Sequence, residues 1–304
     1  MFARMCRGDE AHVTSTDKST VTHALSRDGT EIAYWSSGEG PPLVVVHGTP
    51  ADHTRWRPLL PYLEPHATVH AMDRRGRGGS GDGPEYALER EFEDVAAVVD
   101  SVAEASGSPV NVYGHSHGGI CAFGAATLTS NIRRLVLYEG WAVPNPAVFA
   151  LPAGLEERMD ALLAAGDPGA VVETLFRELE AMSDEDMEAF KAAPSWPGRV
   201  AAAHTVTREC RGELQARLDP QLAAKITVPV LLLVGENSSD PAKPDVEAVA
   251  AALPDARIVV LDEQEHVADV LVPEIFAEHL FAFLRDHGST AQHRPRASSP
   301  PPTS

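Results

Sequence analysis

The chain has 304 residues, 43% of them hydrophobic, with 25 Lys plus Arg against 44 Asp plus Glu and a net charge of −19. That length suits one sizeable α/β domain with room for an inserted subdomain. So acidic a surface repels phosphate backbones and anionic lipid, which argues against nucleic-acid and membrane partners. Three scattered cysteines, Cys6, Cys121 and Cys210, suggest neither a disulfide framework nor a metal spacing. With no apolar leader and no membrane-length apolar stretch, the expectation is a cytoplasmic protein.

Residues 1–20 are polar and aperiodic and read as a disordered tail. Val21 to Leu25 and Glu31 to Trp35 flank Arg27-Asp28-Gly29-Thr30, a hairpin signal. Leu43 to Val46 is a continuous apolar run of the kind found in buried parallel strands. Thr68 to Met72 is the next strand, and Leu88, Phe92, Val95, Val99 and Val102 then share one helical face. Val110 to Tyr113 is a strand, Ile120 to Leu128 a helix, and Arg134 to Tyr138 another strand. Val228 to Val234 and Arg257 to Leu261 complete eight strands, and Pro273 opens a final helix.

This alternation predicts a mostly parallel sheet with helices on both faces. It breaks over residues 143–224, where strand signals vanish and helical ones accumulate. Leu155, Met159 and Leu162 share one face there; Val172, Leu175, Phe176 and Leu179 share another. Ser183-Asp184-Glu185-Asp186 reads as a helix start. The stretch is expected to be a helical cap over the carboxyl edge of the sheet, where open α/β sheets bind ligands. The core is then residues 21–142 and 225–287. Residues 288–304, rich in Pro and Ser, read as a second disordered tail.

Gly114-His115-Ser116-His117-Gly118 lies between an apolar strand and a helical stretch. A serine hydroxyl is a poor nucleophile unless a base takes its proton and backbone N–H groups meet the developing oxyanion. A tight strand-to-helix turn exposes the hydroxyl, and its close contacts call for small residues two before and two after the Ser. Gly114 and Gly118 supply them, so Ser116 is the candidate nucleophile. His47-Gly48-Thr49-Pro50 follows the Leu43 to Val46 strand. The backbone N–H groups of Thr49 and His117 are the candidate oxyanion donors, with Gly48 allowing close approach. The candidate base is His266, which follows the last strand and precedes the last helix.

His47-Gly48-Thr49-Pro50, the loop from Asp73 to Ser80, the Ser116 turn and Glu265-His266-Val267 occur in an order that resembles the α/β-hydrolase superfamily, over residues 21–287. The resemblance implies the α/β-hydrolase fold, a serine hydrolase chemistry and no cofactor. In that superfamily the acid partner of the His usually follows the strand that here is Val228 to Val234. The sequence there is Gly235-Glu236-Asn237-Ser238-Ser239-Asp240, with Asn or Ser at the expected place. Some members carry the acid after the preceding strand, where Glu139 stands. Haloalkane dehalogenases and fungal zearalenone lactonases are similar in this; the Ser nucleophile fits the lactonases. Glu139 and Asp240 both stay open as the acid, with Glu139 preferred.

The pair His115 and His117 lacks the further ligands of a metallohydrolase, so no metal is expected. Trp196 is a candidate cap residue facing the substrate, as the lactonase resemblance implies; simple packing is the alternative. The expected substrate is a small hydrophobic ester or lactone, a zearalenone-like macrolactone among them. Carbon–carbon bond hydrolysis or cofactor-free perhydrolysis on the same residues, and a non-catalytic ligand receptor of this fold, are the competing readings. No feature speaks to oligomeric state.

Overall fold

The computed structural model describes residues 20–179 and 182–286. The expected tails, residues 1–20 and 288–304, lie outside them, as does Cys6; only Thr20 is described, and it is already paired with Ser36. The strands are β1 (Thr20–Leu25), β2 (Glu31–Ser37), β3 (Pro42–Val46), β4 (Thr68–Met72), β5 (Val110–His115), β6 (Ile132–Tyr138), β7 (Val230–Gly235) and β8 (Ala256–Leu261). They form one sheet in the order β1-β2-β4-β3-β5-β6-β7-β8. The hairpin pair β1–β2 and the pair β2–β4 are antiparallel; every other pair is parallel.

Helices α1 (Leu60–Leu63), α2 (Leu88–Ser106) and α3 (His117–Ala125) lie between the first six strands. After β6 come α4 (Leu155–Ala164), α5 (Pro168–Leu179), α6 (Asp184–Ala192), α7 (Trp196–Ala201), α8 (Val206–Glu213) and α9 (Pro220–Ala223). The chain ends its described part with α10 (Val246–Ala252), α11 (Ala268–Leu271) and α12 (Pro273–Arg285). Helix α3 starts three residues before the expected Ile120, immediately after Ser116.

Alternate residues of each strand point to opposite faces, and the core divides accordingly. Val44, Val46, Leu135, Leu137 and Leu232 pack with residues of α2, α3 and α10. Leu43, Val45, Val136, Tyr138, Leu231 and Leu233 pack with Leu63 of α1 and Phe276 and Leu280 of α12. Both faces of the central strands are therefore covered, which is why they read as continuous apolar runs.

Helices α4 to α8 enclose an apolar cluster of their own: Leu155, Met159, Val172, Leu175, Met187, Phe190 and Val206. The Ser183 hydroxyl accepts from the Asp186 N–H and starts α6, as the sequence suggested. Leu179, placed on the buried face of α5 by periodicity, is exposed at 40%; it lines a cavity instead.

This helical insertion is bolted to the sheet by buried charge. Glu209 of α8 pairs with Arg74 at 3.0 Å and with Arg77, both in the loop after β4, and Arg74 also pairs with Glu91 of α2 at 2.8 Å. The Thr49 hydroxyl donates to Glu209 as well. The three arginines of the Asp73 to Ser80 loop are thus structural, Arg75 being held by Asp94 at 2.7 Å. Among the described residues no helix is long and apolar enough to cross a membrane.

Candidate active site

The direction of the chain reverses across β3: β4 is laid on one side and β5 on the other. The carboxyl ends of β3 and β5 therefore open a crevice, the usual ligand site of an open α/β sheet. Register then decides what stands around it. Val46 pairs with Gly114, and His115 pairs with Tyr138. Ser116 and Glu139, each one residue beyond its strand, are brought to adjacent strand ends. Gly235 closes β7 beside them, opposite Leu261 of β8.

Ser116 has φ 54° and ψ −132°, a backbone state that non-glycine residues rarely adopt. Such strain is kept where surrounding structure over-determines it, and it clusters at functional sites. Here the Ser116 N–H donates to Tyr138 O at 2.9 Å, and Ser116 O accepts from the Gly119 N–H at 2.7 Å. The turn leaves no room for side chains around it. A Cβ on Gly118 would lie 2.3 Å from Val46 O, and one on Gly140 would lie 1.9 Å from Ser116 O. Gly140 was not singled out in the sequence; its only signal there is a Gly immediately after Glu139.

Glu139 also has a positive φ, 45°, and its side chain is buried. Its Oε1 accepts from the Gly235 N–H at 2.7 Å, and its Oε2 accepts from the Ser238 hydroxyl at 2.6 Å. The same Oε2 lies 2.6 Å from Nδ1 of His266. A carboxylate can only accept, so Nδ1 carries the proton and donates. Ser238, which carries no charge at the usual acid position, donates instead to Glu139.

Asp240 is drawn in too: its Oδ2 lies 3.4 Å from the same Nδ1, and its N–H donates to the Ser238 hydroxyl at 3.1 Å. Burial raises the Asp240 pKa to about 7; the charge of Glu139 adds to the rise and His266 opposes it. The two acids therefore differ in kind: Glu139 has three donors around it, while Asp240 holds a proton into the neutral range. Between about pH 4 and 7 the folded chain keeps that proton and the unfolded chain releases it, so this group's contribution to stability falls as pH rises through the window. Thermal melts of Asp240→Asn should accordingly show a gain over the native chain that is larger at pH 8 than at pH 5. Equal shifts at both pH values would contradict a raised Asp240.

The loop bearing His266 is clamped from below. The Tyr138 hydroxyl donates to Glu265 O and accepts from the Ala268 N–H at 3.1 Å, bracketing His266 on both sides. His115 Nε2 donates to His266 O at 2.8 Å. Burial, with Arg55 nearby, holds His115 well below the usual histidine pKa, so it is neutral. Three residues past His266, Asp269 is chelated by Arg55 and accepts from the Tyr113 hydroxyl at 3.0 Å.

Ser116, His266, Glu139, Asp240, Thr49, His117 and Gly48 all line one cavity of about 520 Å³. Its volume is that of a small-molecule site. Gly48 comes against Ser116, and among the described residues neither the Thr49 nor the His117 N–H donates to a backbone carbonyl. His117 Nδ1 is bonded to Glu213 of α8 at 2.8 Å. His47 is fully buried, with Nδ1 on Gly48 O at 2.9 Å and Nε2 accepting from the Arg74 N–H at 3.3 Å. It braces the loop and does not reach the cavity.

The expectation that Trp196 faces the substrate is not met. Trp196 packs edge-on against Phe190 at 5.6 Å and lines a separate open depression with Pro168 and His204. It is partly buried against the apolar cluster of the helical insertion. Sequence reasoning also missed Arg55, Arg199, Phe176 and Phe190, which do line the cavity. Among the described residues Glu139, Asp240 and His266 group three metal-ligating side chains within 4.8 Å. His266 Nδ1 is already hydrogen-bonded to Glu139 Oε2 at 2.6 Å and lies 3.4 Å from Asp240 Oδ2.

A family model described as the alpha/beta hydrolase family matches residues 43–279. The chain belongs to that family and is a hydrolase. It is 35% identical to an alpha/beta hydrolase from Sphaerobacter thermophilus, covering 86% of this chain and 100% of that one with a TM-score of 0.72. It is 27% identical over 265 residues to a protein of Azorhizobium caulinodans named for carbamate hydrolysis, covering 83% of this chain and 94% of that one. It is 32% identical over 138 residues to a cis-3-alkyl-4-alkyloxetan-2-one decarboxylase of Shewanella oneidensis; that match takes in 44% of this chain and spans only 43% of the relative.

Proposed function

We propose that the protein hydrolyses a carboxylic ester or lactone of a small molecule through an acyl-enzyme on Ser116. The observation that carries this reading is the 2.6 Å contact between His266 Nδ1 and the buried Glu139, in the cavity that Ser116 also lines. With Nδ1 committed to Glu139, the ring atom that takes a proton is Nε2.

Ser116 Oγ attacks the carbonyl carbon while its proton passes to His266 Nε2. The carbonyl oxygen gains the charge and is met by the N–H groups of Thr49 and His117. Collapse of the adduct breaks the bond to the alkoxide, which leaves with the proton from His266. Water, deprotonated by His266, then attacks the acyl carbon and frees the acid and Ser116. Helices α4 to α8 act as the cap, and Phe149, Leu175, Phe176 and Phe190 give the cavity its apolar side. The relative named for carbamate hydrolysis supports the reading, since a carbamate presents a carbonyl carbon bonded to a heteroatom. Trp196 no longer argues for a macrolactone of the zearalenone type, which stays in the test panel as one member of the class.

A fluorophosphonate probe is expected to add once to the native chain by intact mass and not at all to Ser116→Ala. An unlabelled native protein would remove Ser116 as nucleophile. A panel of p-nitrophenyl esters, lactones and vinylogous diketones then separates ester hydrolysis from carbon–carbon cleavage, and binding without turnover of any member would favour a receptor.

A further inference from the structure

We propose that Arg199 makes the cavity selective for substrates that carry a carboxylate in addition to the ester or lactone bond; this rests on the hydrolase reading above. Arg199, on α7, lines the same cavity as Ser116. Its guanidinium lies over the ring of Phe190, 4.7 Å from the centroid, with the ring of Phe176 at 5.6 Å. Both rings line the cavity as well. One amino group donates to Pro50 O at 2.7 Å, beside the Thr49 oxyanion donor. The Nε is buried and has no partner.

No described carboxylate comes within 4.0 Å of this cation. The acids whose charge reaches it are Asp52 and Asp269, and neither is bonded to it. Asp52 accepts from the N–H and hydroxyl of Thr54, capping the short turn over His53–Trp56. Asp269 is chelated by Arg55 and bonded to Tyr113. Arg199 is thus a half-buried, partly desolvated cation against aromatic carbon, held in place by Pro50 O and short of an anion. Burial and the neighbouring Arg55 lower its pKa to about 9. An incoming carboxylate matches the guanidinium in planarity, offers two acceptors and supplies the missing charge. A multiply charged anion fits less well, because Glu139, Asp186, Glu213 and Glu265 line the same cavity.

Two matched pairs of esters test this. Mono-p-nitrophenyl glutarate against p-nitrophenyl pentanoate puts the charge on the acyl side; 5-acetoxypentanoate against pentyl acetate puts it on the alcohol side. In at least one pair, kcat/KM should favour the charged member by about tenfold or more, the worth of one charged hydrogen-bonded contact. The preference should fall toward one in Arg199→Met and take an intermediate value in Arg199→Lys, which keeps charge but loses the planar fork. Any loss common to both members, from folding or cap packing, cancels in the ratio. Turnover with no charge preference, or a preference that survives Arg199→Met, overturns the assignment of Arg199 alone. Absence of turnover on all four esters overturns the esterase reading, and this inference with it.

Discussion

Glu139→Gln is expected to lower kcat by roughly 10³- to 10⁴-fold, and Asp240→Asn by less than about tenfold. Both acids reach His266 Nδ1, at 2.6 Å and 3.4 Å, so proximity alone does not rank them. Their surroundings do. Glu139 receives the Gly235 N–H and the Ser238 hydroxyl in addition to His266, so its carboxylate is held in place against Nδ1. Asp240 keeps its proton up to about pH 7, so over much of the working range it has no charge with which to stabilise an imidazolium. A Gln at 139 keeps the size of the side chain but can turn its amide NH₂ toward Nδ1. That would favour the ring tautomer with its proton on Nε2, which is unable to accept from Ser116. Burial is the larger cause of the raised Asp240 pKa, but removing Glu139 takes away the charge that adds to it, so Asp240 should carry the residual activity. The double variant Glu139→Gln/Asp240→Asn should then fall below Glu139→Gln. Steady-state kinetics on one ester decide it: collapse in Asp240→Asn with little change in Glu139→Gln would assign the acid to Asp240.

What could be read from the sequence was what local pattern carries. The runs at Leu43 to Val46 and Val110 to Tyr113 are rich in Val, short and bounded by Gly-containing turns, the pattern of strands. The Ser116 turn was legible because its chemistry and its sterics both fall within five residues. Glu139 was legible only through the missing acid at Asn237 and Ser238, an argument from chain order. The remainder depends on contacts between distant residues. Arg55 and Asp269 are 214 positions apart, and nothing at either end marks the other. Tyr138 read as one more strand residue, yet its hydroxyl fixes both sides of His266. Arg199 and Trp196 stand three residues apart on one short helix; which of them faces the cavity depends on how α7 is rolled against α5 and α6, and no periodicity sets that roll over six residues. The aromatic residue drew attention, and the cation is the one that lines the cavity.

Asp269→Asn is expected to destabilise the fold by about 3–5 kcal/mol, because it leaves a buried guanidinium uncompensated. In a chain of this size that corresponds to a melting-temperature drop of roughly 5–8 °C. The Arg55 and Asp269 side chains are 4% and 0% exposed, and the Tyr113 hydroxyl adds a third bond. Burial alone would raise the Asp269 pKa, but the Arg55 charge and the bonds from Arg55 and Tyr113 hold it below its ordinary value. Its stabilising contribution is therefore complete above about pH 4, the ordinary carboxylate value, and is lost as pH falls through the folded pKa. The pair lies under His115, whose Nε2 holds His266 O, so the substitution should also loosen the base and lower kcat more than it raises KM. Replacing both partners, as Arg55→Met/Asp269→Leu, removes the stranded charge and should recover most of the lost stability, since a buried pair contributes little net beyond a well-packed apolar substitute. Activity should recover much less, because neither Met nor Leu can replace the polar contacts around His115 and α11. Melting curves and kinetics on the two variants separate these effects. A loss under about 1 kcal/mol in Asp269→Asn, the scale of a surface pair, would show that water already reaches Arg55. Equal recovery of stability and turnover in the double variant would show that the clamp does not position His266 at all.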